Sequence, residues 1–335
     1  MPILVESGAY HPGEGKKRRR DRPLLQFGDA GAYSLTIGLI NNMPDLALEG
    51  TERQFIKLLE SAAEDICVRL KLYSLPDLPR TDWGRKYLST DYSGLDDLWN
   101  SHLDALIVTG TEPRAFDLRD EPYWATLTEI VDWAELNTIS TIWSCLAAHA
   151  AVFHMDGINR VPLSDKCFGI FQFAETSNHL ILRDAPARWR NPHSRWNDLP
   201  ESALTTSGYS ILTKSSEAGV DTFVKQTRSL FIFFQGHPEY TEDTLTREYR
   251  RDIGRFLRGE RERYPNMPQG YFNEKAADLL DSFRDRALAN RSEKLLTTFP
   301  DTLPALKVTN TWTSQATQMY RNWLSYVIAE KKRKG

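Results

Sequence analysis

Residues 137–156 read NTISTIWSCLAAHAAVFHMD, and this stretch decides the fold. Thr138, Ile139, Thr141, Ile142 and Trp143 are β-branched or aromatic, which suits a strand buried on both faces. Leu146 to Val152 are apolar and rich in alanine, which suits a helix pressed closely onto a sheet. Cys145 stands at the corner between them, at the carboxyl edge where open α/β sheets place their ligands. The first amides of the following helix lack partners and carry its positive dipole end, and both favour a thiolate. The pattern is that of a nucleophile elbow, strand to sharp turn to helix. The competing reading of Cys145 is a small buried hydrophobe, since free cysteine is among the most buried residue types.

Working outward toward the N-terminus, Tyr123 to Leu136 reads as a helix, and Ala105 to Gly110 as a short buried strand followed by the loop Thr111-Glu112-Pro113-Arg114. Residues 75–98, rich in Pro, Asp, Gly and Ser, read as a long surface excursion. Ile66 to Tyr73 is a strand, Leu48 to Leu59 a helix with Phe55, Leu58 and Leu59 on one side, and Ser34 to Ile40 a strand ended by Asn41-Asn42-Met43-Pro44. Residues 1–33 read as a mobile or loosely docked N-terminal arm, and its run Lys16 to Arg20 as a solvated charge run. Toward the C-terminus, Cys167 to Phe173 and Leu180 to Leu182 are candidate strands, and Pro192 to Arg195 a polar loop. Ile211 to Thr213 and Thr222 to Val224 are candidates for an antiparallel pair, and Leu230 to Gln235 is a strongly apolar strand. Thr244 to Leu257 is an amphipathic helix with Tyr249, Ile253 and Phe256 inward. Residues 258–303 hold a charged helix and a proline-bounded connection, and Trp312 to Lys332 forms a closing helix. The alternation predicts an α/β fold, a doubly wound, mostly parallel sheet flanked by helices, with residues 34–335 as one domain carrying a C-terminal helical extension.

The chain is 41% hydrophobic and 26% charged, with a formal net charge of -3, so no strong field calls for nucleic acid or an acidic membrane. Three cysteines, Cys67, Cys145 and Cys167, argue against a disulfide framework or a zinc cage, so no metal is expected and a reducing cytoplasm fits. No apolar run has the length of a membrane span, and no signal-peptide core is visible. No glycine-rich phosphate loop follows any strand, so a nucleotide cradle is not indicated.

His237-Pro238-Glu239 closes the last apolar strand. In an extended segment residues i and i+2 project to one side, which would set the Glu239 carboxylate beside the His237 imidazole. A carboxylate so placed holds one tautomer and stabilises the imidazolium, and the imidazole can take a proton from a thiol. Cys145, His237 and Glu239 together make a triad of nucleophile, base and orienter.

With these sites in place, the chain resembles the homoserine O-acyltransferase family of methionine biosynthesis. The segments IGLINNMPD, LIVTGTEPRAF, STIWSCLAAHAAVFHMDGI, DKCFGIF, NPHSRWNDLP and GHPEYTEDTLTREYRRD carry the resemblance in collinear order. It implies a class I glutamine amidotransferase-like (flavodoxin-like) fold. It implies that Cys145 takes an acyl group, succinyl favoured over acetyl, from acyl-CoA as co-substrate, with His237 as base and Glu239 as its partner. Arg251 would then bind the carboxylate of the amino-acid acceptor, although an arginine there also fits a surface ion pair. Lys166 and Ser194 match substrate-contacting positions. The backbone N–H of Leu146 is the natural oxyanion donor. No cofactor is implied, and since members are commonly dimers, a cytoplasmic homodimer is expected. The acceptor is homoserine or a relative such as serine. A glutamine amidotransferase-like hydrolase is the alternative activity, disfavoured because Ser144-Cys145-Leu146-Ala147 lacks the glycines that flank such cysteines. A non-enzymatic binding module is a third reading.

Three positions depart from the family pattern. The family carries a lysine after the Met-Pro pair, thought to serve the oxyanion hole, where this chain has Met43-Pro44-Asp45. The residue after the cysteine is usually tryptophan and here is Leu146. Arg114 falls near the position that sorts succinyl from acetyl donors, and its guanidinium could pair with the free carboxylate of a succinyl group.

Overall fold

The computed structural model describes residues 3–6, 33–300 and 310–334. The basic run Lys16 to Arg20 and the proline at 304 lie outside the described residues. The fold is α/β with a mostly parallel main sheet, as the sequence predicts. The chain forms two compact units, each assembled from separated segments.

Unit 1 comprises the described residues within 1–150, 226–231 and 320–335. Its strands are β1 (Leu4–Glu6), β2 (Ser34–Ile40), β3 (Cys67–Tyr73), β4 (Tyr92–Ser93), β5 (Ala105–Val108) and β6 (Ser140–Ser144). They lie in the order β1-β3-β2-β5-β6, all parallel, with β4 beside β3. The helices between them are α1 (Asp45–Ala62), α2 (Asp82–Asp91), α3 (Leu95–Asn100) and α4 (Trp124–Asn137). Every residue of β5 and β6 is buried, which explains their unbroken apolar character. Helix α1 buries Leu48, Phe55, Leu58, Leu59 and Ala62, a stripe at helical spacing. From β2 the chain goes first to β3 on one side and later to β5 on the other. Strand order therefore reverses between β2 and β5, the place where such sheets open a crevice at their carboxyl ends. Beyond β6, Leu230 continues the sheet: its N–H donates to the Ile139 carbonyl at 3.1 Å, and the Ser140 hydroxyl donates to its carbonyl at 2.6 Å. The Trp323 indole donates to that same hydroxyl at 3.0 Å, so the closing helix helps satisfy a buried polar group.

One reading changes here, and one segment of the arm is seen docked. Residues 75–98 are not a bare excursion, because the Thr81 side chain accepts the Gly84 N–H and starts α2, and α3 follows. Leu4 to Glu6, within the predicted arm, pair with Arg69 to Lys71 as a parallel edge strand.

Unit 2 comprises the described residues within 151–225 and 232–319. Its strands are β7 (Val161–Glu175), β8 (Arg188–Asp198), β9 (Ser210–Ile211), β10 (Thr213–Ser215), β11 (Gly219–Val220), β12 (Thr222–Gln226) and most of β13 (Leu230–Phe234). β7 and β8 form a long antiparallel pair in a second sheet of order β11-β10-β7-β8. β13 neighbours β12, and β12 pairs antiparallel with β9, as predicted for these segments. Residues 192–195 are therefore strand, not loop: their polar side chains are held by partners inside the unit, so polarity there did not mean solvent. Leu180 to Leu182 form a short 3-10 turn instead of a strand, with the His179 ring accepting the Ile181 N–H. The helix Thr244–Leu257, bounded as predicted, buries Tyr249, Ile253 and Phe256 against Leu280 and Phe283, two residues of the helix Glu274–Ala289.

Candidate active site

Strand β6 ends at Ser144 and a helix begins at Leu146 (Leu146–Asp156), leaving one residue for the corner. Cys145 makes that turn at φ 55°, in the left-handed region that a non-glycine residue enters at a cost of about 1–2 kcal/mol. Cys145 is a free thiol, half-buried and not sealed in the core. The N–H groups of Ala148 and His149 both reach the Cys145 carbonyl, at 3.0 and 3.3 Å. The Leu146 amide precedes the first residue able to find an acceptor within the helix. Gly110 lies against it: a Cβ at Gly110 would stand 2.8 Å from the Leu146 nitrogen and 2.9 Å from its Cβ.

The neighbouring rim of unit 1 is tightly tied. The Asn42 N–H donates to Thr109 Oγ1 at 2.8 Å, and its Nδ2 to the Thr109 carbonyl at 3.1 Å. Where the family pattern has lysine, Asp45 accepts from the Thr81 N–H at 2.8 Å and hydroxyl at 2.6 Å and pairs with Arg80 at 3.1 Å. Burial pushes the Asp45 carboxyl up, but these donors outweigh it and leave it below its ordinary range. Arg80 also donates to the Met43 carbonyl at 2.5 Å. Past Gly110, the buried Glu121 carboxylate accepts the N–H groups of Arg114 and Ala115, at 2.5 and 2.7 Å, while the Arg114 side chain is exposed.

In unit 2, the His237 Nδ1 lies 2.8 Å from Glu239 Oε1, and both side chains are buried. The pair forms as predicted but not in an extended segment. The Tyr240 N–H donates to the His237 carbonyl at 3.2 Å, so Pro238 and Glu239 occupy the middle of a turn that folds the carboxylate back onto the ring. The segment is anchored by the His237 N–H on the Pro192 carbonyl at 2.8 Å and the Gly236 N–H on Asp221 Oδ1 at 2.9 Å. Tyr240 stacks on the imidazole, centroids 4.2 Å apart at 15°.

The Tyr240 hydroxyl donates to Glu248, and Glu248 also accepts from the Ser194 hydroxyl. Lys166 lies 3.6 Å from Glu248 and 2.9 Å from Asp252, and Arg251 bonds Asp252 at 3.1 Å. Lys166, Ser194 and Arg251 are thus brought together from β7, β8 and the helix Thr244–Leu257, around two carboxylates. Burial pushes both acids up, yet Lys166 and Arg251 outweigh it and hold Glu248 and Asp252 below their ordinary values, hence ionised. Sequence reading missed Glu248 and Asp252. Asp252 was visible in principle, as a charged residue inside the buried stripe Leu245, Tyr249, Asp252, Ile253, Phe256. Unit 1 carries Cys145, Leu146 and Arg114, and unit 2 carries His237, Glu239, Lys166, Ser194 and Arg251. Among the described residues, no group of three or more His, Cys, Asp or Glu could hold a metal ion. No helix among the described residues is long and apolar enough to cross a membrane.

A family model for homoserine O-succinyltransferase matches residues 29–333. The chain is 47% identical over 301 residues to a homoserine O-succinyltransferase of Rhodopseudomonas palustris, covering 90% of each chain. It is 43% identical over 324 residues to one of Bradyrhizobium japonicum, covering 96% of each. A glutamine amido transferase of known structure from Methylobacillus flagellatus is similar over 88% of this chain and 96% of that one, at 14% identity and a TM-score of 0.49. The match along nearly the whole sequence decides the identity: this chain belongs to the homoserine O-succinyltransferase family.

Proposed function

We propose that this protein transfers a succinyl group from succinyl-CoA, through a thioester on Cys145, to the hydroxyl of L-homoserine, in methionine biosynthesis. The observation that carries the reading is Cys145 itself, a half-buried thiol held at φ 55° at the start of a helix. Backbone strain of this kind is kept where a side chain must be presented at one angle. The donor and acceptor are taken from the names of the relatives.

In this mechanism His237 takes the thiol proton and the Cys145 thiolate attacks the thioester carbonyl. The oxygen gains negative charge beside the Leu146 N–H, and the C–S bond to CoA breaks as the imidazolium protonates the departing thiolate. Homoserine then enters, His237 takes its hydroxyl proton, the oxygen attacks the enzyme thioester, and Cys145 leaves and is reprotonated. Glu239 on Nδ1 fixes the tautomer that leaves Nε2 as the accepting nitrogen and stabilises the imidazolium. Arg251, the more exposed cation of its cluster, serves the acceptor carboxylate, with Lys166 and Ser194 beside it. Arg114 serves the distal carboxylate of the succinyl group. The enzyme acts as a cytoplasmic homodimer without a cofactor.

The test exposes the protein to succinyl-CoA and acetyl-CoA, then to homoserine, serine or glutamine. A succinyl adduct on the Cys145 peptide, a burst of CoA lost in Cys145→Ser, and O-succinylhomoserine as product are expected. Homoserine should lead serine, although one methylene separates them by only about 1–3 kcal/mol. No adduct and no CoA release would refute the proposal, and ammonia from glutamine would replace it with hydrolysis.

A further inference from the structure

Asn42 is 2% exposed and spends both ends of its carboxamide on backbone. Its Oδ1 accepts the Leu75 N–H at 3.2 Å, just past β3, and its Nδ2 donates to the Thr109 carbonyl, just past β5. Its own N–H donates to the Thr109 hydroxyl at 2.8 Å. That hydroxyl in turn donates to the Gly110 carbonyl at 3.1 Å, and the Thr109 N–H donates to Ile40 at 3.0 Å. One side chain therefore ties together the carboxyl ends of β2, β3 and β5, across the crevice where strand order reverses. The tie ends on the carbonyl of Gly110, the residue whose Cα faces the Leu146 amide.

We infer that Asn42 and Thr109 are positioning residues for the acyl-oxygen site: they fix the Gly110 peptide so that the Leu146 N–H stays open toward the thioester oxygen. The inference rests on the acyl-transfer reading above. It also accounts for the absence of lysine after Pro44. Here the turn following Asn42 is held by the nearly buried Asp45–Arg80 pair, and the rim is shaped by backbone and neutral side chains. Neither Asn42 nor Thr109 touches the reacting atoms in this scheme. They act through Gly110, and a donor misplaced by about 1 Å can cost a hundredfold in rate.

The experiment compares wild type, Thr109→Val and Thr109→Ser by two rates. The first is the CoA burst with succinyl-CoA, which needs the oxygen site. The second is alkylation by iodoacetamide, a displacement at carbon that needs the thiolate but no carbonyl-oxygen donor. Valine keeps the shape but removes both bonds of the hydroxyl, and serine restores them. Thr109→Val should slow the burst about 100-fold and leave alkylation within about twofold, while Thr109→Ser stays within about threefold on both. If Thr109→Val does not fold, Thr109→Ala removes the hydroxyl without setting a methyl against the Asn42 N–H and gives the same comparison. A hydroxyl-free variant whose burst matches wild type overturns the inference. So does one whose alkylation falls in step with its burst, since the elbow itself would then be disturbed. No burst in the wild type would instead refute the acyl-transfer reading on which the inference stands.

Discussion

Gly110→Ala is the sharpest probe of the elbow. A methyl there would sit 2.8 Å from the Leu146 nitrogen, 2.9 Å from its Cβ and 3.3 Å from its Cα. Ordinary contact begins at 3.4 Å, so the closest approach is short by roughly 0.6 Å. The atoms met are backbone and Cβ at the start of a helix, which cannot swing aside as a flexible side-chain tip could. Either the Leu146 amide moves by a comparable distance or the methyl covers it. Losing one oxyanion donor typically costs about 2.7–4 kcal/mol, or 10²–10³ in rate, so thioester formation should slow at least about 100-fold. Overpacking adds a stability loss of about 1–3 kcal/mol, visible in thermal melting. The assay is rapid-mix release of CoA from succinyl-CoA, with iodoacetamide alkylation as a control for an intact thiolate. A Gly110→Ala enzyme that forms its thioester within about threefold of the wild-type rate would refute the assignment of Leu146 as donor.

Other consequences can be measured independently. Arg114→Ala should lower the preference for succinyl-CoA over acetyl-CoA by about tenfold, through loss of a charge-assisted bond to the distal carboxylate. Steady-state rates with both donors decide it, and an unchanged ratio removes Arg114 from donor selection. Cys145→Gly should be more stable than Cys145→Ala by about 1 kcal/mol, because only glycine occupies φ 55° without steric cost. Equal melting points would mean the turn is unstrained. Glu248 and Asp252 have folded pKa values below their ordinary 4.5 and 3.8. A carboxyl depressed on folding stabilises the protein above its unfolded pKa and loses that contribution as pH falls through the folded one. Stability should therefore drop as pH falls below 4.5, and less steeply in Glu248→Gln. Urea unfolding across that window tests this, with parallel curves for the two proteins as the contrary result.

The elbow was legible because its signal is local. A β-branched run gives way within two residues to an alanine-rich one, and only a strand, a corner and a helix accommodate that change. His237 and Glu239 were legible as a pair for a reason that proved incomplete: proline makes a turn there, and the turn returns the carboxylate to the ring as an extended segment would have done. What stayed hidden depended on distant neighbours. Pro192 to Arg195 have loop composition, yet the Pro192 carbonyl takes the His237 N–H, and Ser194 has a carboxylate partner fifty-four positions away. Glu248 resembles any solvated helix acid until Lys166, Ser194 and Tyr240 arrive from three other segments. Likewise Asn42 looks like an ordinary turn residue, and only the pairing of β2 with β3 and β5 reveals where its amide goes.

Unit 1 has a consequence for how the polypeptide is made. Ser140 leaves the ribosome long before Leu230, which pairs beside it, and 183 positions before Trp323, whose indole joins that bond. Through that interval β6, whose five residues are all buried in the finished fold, offers a bare apolar edge to any other strand nearby. A nascent chain halted before Leu230 is thus expected to be a sticky species, and maturation of this half of the protein must wait until Trp323 has been made.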